Sequence, residues 1–181
     1  GRSFFPIAWS FSTRRGTSFG VDPYSRAAAA EEDLPVEIAE AVRAFISTAD
    51  YDDLYRGAQR RLFELGLQSS AHLLRLTSDA AIELFGQMSI EAGLIHIDGN
   101  HDTRYVMADV RNYIPLLCEG GLLVLDDIDR ASVKPAFDLC SQALALIHTE
   151  ETFAIFANIK EHARIDHLRQ ASARIAWQAK L

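Results

Sequence analysis

The sequence predicts an α/β fold: a doubly wound sheet that is mostly parallel and closes on an antiparallel hairpin. Three observations predict it. Residues 94–97 and 122–125 are apolar runs too short for ordinary helices, and they lack polar alternation, as expected of strands buried on both faces of a parallel sheet. Between them Val106, Val110, Tyr113, Ile114 and Leu117 recur at helix spacing, with Pro115 near the end and Glu119-Gly120-Gly121 breaking the pattern. Residues 143–148 and 152–158 are two further strand-like runs separated by Thr149-Glu150-Glu151, which predicts a hairpin. A parallel strand–helix–strand unit brings both strand C-termini to one edge. Asp98 ends the first strand, and Asp126 and Asp127 end the second. In open α/β sheets that edge is where ligands bind.

In chain order, residues 1–12 read as a helix already inside a fold, because their aromatic and aliphatic residues are dense. Residues 18–22 form a short strand ending at Asp22, and Pro23-Tyr24-Ser25 turns the chain. A helix feeding such a strand implies an earlier strand, so the chain is expected to begin mid-fold. Residues 27–50 read as an insertion: small residues, then Glu31-Glu32-Asp33, then an amphipathic helix carrying Leu34, Ile38, Val42 and Phe45. A second helix spans 51–65, with Leu54, Ala58, Leu62 and Leu65 on one side and Gly66 as its stop. Residues 72–76 form a strand, and Asp79 is the expected N-cap of a helix through Phe85. After Asp127 a helix carries Val133, Phe137 and Cys140; residues 161–181 form an Arg-rich helix with Ile165, Leu168 and Ile175 on a modest apolar face. The expected result is one domain over residues 1–181, its sheet parallel except for one edge strand.

Composition narrows the function. A chain of 181 residues, 49% hydrophobic and 24% charged, is long enough to bury a core and ordinary for a globular protein. A formal net charge of −7 argues against nucleic acid as a partner, and Arg14-Arg15 and Arg60-Arg61 are pairs, not a basic stripe. The two cysteines, Cys118 and Cys140, fall in segments read as helical and lack metal-site spacing; as reduced core thiols they suit the cytoplasm. No run reaches membrane-spanning length, and residues 1–12 do not read as a signal peptide.

Several residues can carry chemistry. Asp22 sits where nucleotide-binding α/β folds place an acid on the ribose hydroxyls; a turn-forming role ahead of Pro23 is the alternative. Asp98, Asp126 and Asp127 crowd three carboxylates at one edge. Their repulsion raises at least one pKa, and a hard divalent cation (Mg²⁺, Ca²⁺ or Mn²⁺) relieves it. The alternative is that Asp98 caps a loop while Asp126 and Asp127 face solvent or cap a helix. His101 follows Asp98 by three residues, at the same edge. A neutral imidazole there can take a hydroxyl proton, or it is a surface or capping histidine. His96, inside a strand, His72 and His148, at strand ends, and His162 and His167, on the last helix, are less persuasive. Tyr51-Asp52-Asp53 and Tyr55 either touch a small molecule or open an N-capped helix. Trp9 and Trp177 read as packing residues.

The succession VDPYS, a strand then TSD, IDGNHD, and GGLLVLDD resembles the class I S-adenosylmethionine-dependent methyltransferases, over roughly residues 1–160. It is most similar to the small-molecule and sugar O-methyltransferases of bacterial secondary metabolism, whose IDGxH motif is followed by a helix and a strand ending in DD. The resemblance implies a seven-stranded Rossmann-like sheet with an antiparallel last strand. It makes Gly1-Arg2-Ser3 the tail of a glycine-rich cofactor loop, with Gly1 and Ser3 at the cofactor and the first strand ahead of Gly1. It gives Asp22 the ribose, Ser78 and Asp79 the adenine, and Asp98 a place beside the cofactor and in catalysis. Asp98, Asp126 and Asp127 become Mg²⁺ ligands, His101 the base, and residues 27–50 a lid over the acceptor. The activity implied is transfer of a methyl group to a hydroxyl of a small molecule such as a sugar, phenol or natural product, by a cytoplasmic enzyme, with a homodimer as the default assembly. The alternatives are metal-independent transfer to nitrogen or carbon, a non-catalytic scaffold of the same fold, and a metal-dependent hydrolase.

Overall fold

The structure, a computed structural model, describes residues 3–13, 16–34 and 36–178. The chain forms two compact units, one of Gly1–Ala30 with Val36–Leu84 and one of Glu31–Pro35 with Phe85–Leu181.

The first unit opens with α1 (Phe4–Ser12), then β1 (Ser18–Val21). Next come α2 (Arg26–Ala29), α3 (Val36–Thr48), α4 (Tyr51–Glu64) and β2 (Ala71–Leu74), and α5 (Ser78–Gln87) starts in this unit. β1 pairs in parallel with β2, from Ser18 against Ala71 to Val21 against Leu74. Ala8, Leu62, Leu67 and Ala71 make its buried centre. A side chain at Gly20 would meet the Phe4 ring at 3.0 Å and Leu73 at 3.1 Å, so only glycine lets α1 lie this close to β1. The insertion helix α3 forms where its periodicity predicts it, but none of its residues is buried, and Val36 and Phe45 stand exposed. Trp9 is likewise 63% exposed and does not act as a packing residue; the side chain of Trp177 lies outside the described residues. Asp50 caps α4 by accepting the Asp53 N–H. Asp79 lies inside the first turn of α5, where Thr77 accepts the Ala80 N–H; the capping oxygen comes two residues earlier than the sequence pattern suggests.

The second unit holds the predicted strand–helix–strand core: β3 (Ala92–Ile97), α6 (Thr103–Tyr113) and β4 (Leu117–Asp126). It continues through α7 (Lys134–Ala143), β5 (Ala145–Thr149), β6 (Phe153–Ala157) and α8 (His162–Gln178). The sheet order is β3-β4-β6-β5. β3 runs parallel to β4, and β6 runs antiparallel to both of its neighbours. The antiparallel strand is therefore interior, and the edge belongs to β5; a tight hairpin lets the last strand insert beside β4. Ile95, Ile97, Leu123 and Leu125 point into a core with Val106, Val110, Val133, Ala136, Cys140 and Phe156. The opposite face, with Leu94, His96, Leu122 and Val124, is only half-buried, so burial on both faces is not reached.

Leu117 and Cys118 belong to β4 and not to a helix, because a short 3-10 turn at Ile114–Leu116 ends the helical run and the strand begins at once. The Glu119-Gly120-Gly121 break is an irregularity within the strand. Gly120 has φ +78°, and a Cβ on Gly121 would lie 2.9 Å from the Ala92 carbonyl oxygen. Cys140 is fully buried in α7 as expected, and burial pushes its thiol up to about 12, which keeps it inert. Among the described residues no helix is long and apolar enough to cross a membrane.

Candidate active site

The expected acids sit at the C-terminal edge of the β3–β4 pair. Ile97 pairs with Leu125, and the next residues, Asp98 and Asp126, bring carboxylate oxygens within 4.8 Å of each other. His96 and Asp98, two residues apart, share one strand face, as do Val124 and Asp126. This is the half-buried face, opposite the core. Asp127 leaves that alternation, with φ +54° in the left-handed region that aspartate tolerates better than most residues. The twist turns the chain away from the sheet; Arg130 N–H then bonds back to the Asp127 carbonyl, and Ile128 N–H to Thr152.

Two groups of potential ligand atoms result, His96–Asp98–Asp126 and Asp98–His101–Asp127, each with all its atoms within 4.8 Å of one another. Asp98 is common to both. Each group adds an imidazole to the carboxylates: His101, expected at this edge as a base, and His96, which was not expected in the site. His96 Nε2 lies 3.5 Å from Asp126 Oδ2, so its strand position carries more weight than the sequence reading gave it. The carboxyl of Asp98 is raised above its ordinary range. Loss of hydration is the largest cause; His96 and His101 oppose it, while the charges of Asp126 and Asp127 add to it.

His101 sits at the centre of a closed ring of charges. Its Nδ1 is hydrogen-bonded to Glu31 Oε1 at 2.7 Å. Arg130 joins Glu31 Oε2 and Asp127 Oδ1, each at 3.1 Å. Asp127 Oδ2 closes the ring 2.8 Å from His101 Nε2, yet that nitrogen is buried and makes no hydrogen bond, because the carboxylate lies off the ring's N–H direction. Burial pushes the imidazole pKa down, but the Glu31 hydrogen bond and the Asp127 charge raise it overall, against the opposing charge of Arg130. Glu31 is lowered overall: burial works upward, and the hydrogen bond and charge of His101, then the charge of Arg130, outweigh it.

The segment that delivers Glu31 is tied down. Asp102, only 2% exposed, accepts the N–H groups of Glu32 and Asp33 on Oδ1 at 2.7 and 2.8 Å. Asp33 Oδ2 in turn accepts the Thr103 N–H at 3.0 Å. These shifts fix a pH window. Glu31, lowered on folding, stabilises the attachment above its ordinary value of 4.5 and loses that effect as pH falls through its folded value. His101, raised on folding, stabilises it below its ordinary value of 6.5 and loses that effect as pH rises through its folded value. Amide exchange at Glu32 and Asp33, corrected for intrinsic rates, is expected to be slowest between those limits and to accelerate on both sides.

The remaining expected residues lie in the first unit. Asp22 follows β1, and its Oδ1 accepts the Tyr24 N–H at 2.6 Å, so it does form the turn. A carboxylate has a second oxygen, and turn formation leaves ribose binding chemically open. Beside it Tyr24 stacks on Tyr55, with ring centroids 5.1 Å apart, and Arg75 lies over Tyr55 while pairing with Asp52 at 2.6 Å. Tyr51-Asp52-Asp53 thus opens a capped helix, with Asp52 held by Arg75. Ser78 and Asp79 start α5, and Ser3 precedes α1 without a side-chain capping bond. Gly1 lies outside the described residues. The structure therefore gathers Asp98, His101, Asp126 and Asp127 at one place and adds Glu31, His96, Asp102 and Arg130, which the sequence reading missed.

A family model for a methyltransferase domain matches residues 1–128. The chain belongs to that family, the class I S-adenosylmethionine-dependent methyltransferases. No protein of curated function matches the sequence. Among solved structures it is similar to a Corynebacterium glutamicum protein, 16% identical, with TM-score 0.50 over 87% of this chain and 82% of that one. It is similar to the O-methyltransferase NovP, 16% identical, with TM-score 0.56 over 80% of this chain and 60% of NovP. It is also similar to CalS11, a TDP-rhamnose 3'-O-methyltransferase of calicheamicin biosynthesis, 14% identical, with TM-score 0.50 over 87% of this chain and 69% of that one. At these identities the likeness establishes a shared fold.

Proposed function

We propose that the protein is a divalent-cation-dependent O-methyltransferase acting on a hydroxyl of a small molecule, a sugar, phenol or related natural product. The observation that carries this reading is that Asp98 and Asp126 bring carboxylate oxygens within 4.8 Å of one another at the ends of the adjacent parallel strands β3 and β4, beside a buried histidine nitrogen that makes no hydrogen bond. Two of the three donors in each group are carboxylates, and carboxylate oxygens are what a hard cation takes. Asp98 and Asp126 would hold Mg²⁺ or Mn²⁺, with Asp127 the third acid. Held there, a divalent cation would supply the positive charge that lowers the pKa of a neighbouring hydroxyl. S-adenosylmethionine would supply the methyl group; in the first unit Asp22 is proposed for its ribose and Ser3, Ser78 and Asp79 as further cofactor residues, and in the second unit Asp98 is proposed as one more.

The protein's own residues bind and orient. His101 presents Nε2 to the hydroxyl proton, and Asp127, 2.8 Å from that nitrogen, stabilises the imidazolium that results. Displacement at a sulfonium carbon needs little else, so alignment of hydroxyl and methyl supplies much of the rate. NovP and CalS11 are O-methyltransferases, which supports oxygen as the accepting atom. The test is a transfer assay with labelled S-adenosylmethionine against a panel of sugars and phenols bearing adjacent hydroxyls. Transfer is expected to stop with EDTA and return with Mg²⁺. Full transfer in EDTA would remove the metal from the mechanism.

A further inference from the structure

The Glu31–His101 contact joins residues 70 positions apart in sequence, in a segment whose composition suggests nothing beyond a polar linker. Two carboxylates flank the imidazole at nearly equal distance, but only one is in line with a ring nitrogen. Glu31 Oε1 is hydrogen-bonded to Nδ1 at 2.7 Å, whereas Asp127 Oδ2, at 2.8 Å, misses the direction of Nε2. A hydrogen bond at one ring nitrogen decides which tautomer the other presents. We propose that Glu31 is a positioning residue: it holds the proton on His101 Nδ1, so that Nε2 carries the lone pair towards the acceptor hydroxyl. This assignment rests on the reading of His101 as the base.

The surrounding contacts fit that role. Arg130 fixes the other oxygen of Glu31 and, through its Nε, also holds Asp127, so neither carboxylate swings freely. The backbone behind Glu31 is set by Asp102, the residue next to His101, through the N–H groups of Glu32 and Asp33. Ring and carboxylate are thus fastened at consecutive residues, and the distance between them is determined by a buried anchor. The same logic, a base oriented by a third group, operates wherever a histidine must keep one nitrogen open. The first residues of the insertion therefore do more than cover a site; they carry part of the proton-transfer unit.

The experiment is nitrogen-15 NMR of the imidazole rings in the intact protein, at a pH where His101 is neutral, with its signals identified by their loss in His101→Gln. The wild-type ring is expected to carry its proton on Nδ1. Glu31→Leu, which removes the acceptor at similar size, is expected to move the ratio by about ten-fold or more towards Nε2–H, which an unconstrained histidine favours, since a hydrogen bond to a charged group is worth ~1.5–3 kcal/mol. Glu31→Gln restores an acceptor oxygen and is expected to restore the Nδ1 proton. If Glu31→Leu does not fold, Glu31→Ala gives the same comparison. An unchanged tautomer in a folded Glu31 variant would overturn the proposal. The readout needs neither acceptor nor turnover, so a protein that methylates no hydroxyl defeats the functional reading without touching this result.

Discussion

Asp126→Asn is expected to reduce Mg²⁺ or Mn²⁺ affinity by more than about 100-fold and to abolish methyl transfer, while S-adenosylhomocysteine still binds. The substitution keeps size and shape and removes one charge from the pair formed by Asp98 and Asp126. The same change lowers the Asp98 pKa towards its ordinary range, because Asp126 is one of the charges that raise it. Asp127→Asn is expected to do less, within the roughly 10–100-fold seen when a supporting residue of a metal site is lost. Both Asp127 oxygens already have partners, Arg130 at 3.1 Å and His101 at 2.8 Å. Calorimetry or Mn²⁺-dependent water relaxation on the two variants separates the roles. Equal losses would mean that both acids hold the ion directly.

His101→Gln is expected to lower kcat by roughly 10²–10⁴-fold, the usual worth of a positioned acid or base, with little change in KM for the acceptor. Single-turnover transfer of a labelled methyl group is the measurement, with cofactor binding as the control for folding. A loss confined to KM would make His101 a binding residue. A loss below ten-fold would leave ionisation of the hydroxyl to the cation site alone.

The sheet edge was legible because strands and acids are local signals. An apolar run that stops at Asp98, a helix-spaced interval and a second run that stops at Asp126-Asp127 define the topology, and topology puts the acids together. The position of β6 was less legible. A hairpin can be read from two runs and a short polar link, but which of its strands meets β4 depends on the burial of Phe156 and Ala157, which pair with Leu123 and Leu122 of β4. Leu117 was assigned to the helix because 3.6-residue spacing runs smoothly through Ile114, and nothing local marks the change to strand. Glu31 and Arg130 could not be found at all, since each owes its role to a partner far along the chain. Asp102 offered a weak signal, an acid directly after the expected base, but its use as an anchor for another segment's backbone leaves no periodic trace. His96 was discounted for lying within a strand, although its two-residue spacing from Asp98 already placed both on one face.

A cation-dependent methyl-transfer site at this sheet edge is tested most directly by calorimetric titration of the intact protein with S-adenosylhomocysteine and, separately, with Mg²⁺, repeated on Asp126→Asn. S-adenosylhomocysteine is expected to bind both proteins at micromolar concentration, and Mg²⁺ to bind the wild type saturably but not Asp126→Asn. Absence of S-adenosylhomocysteine binding, or Mg²⁺ binding that survives Asp126→Asn unchanged, would contradict such a site.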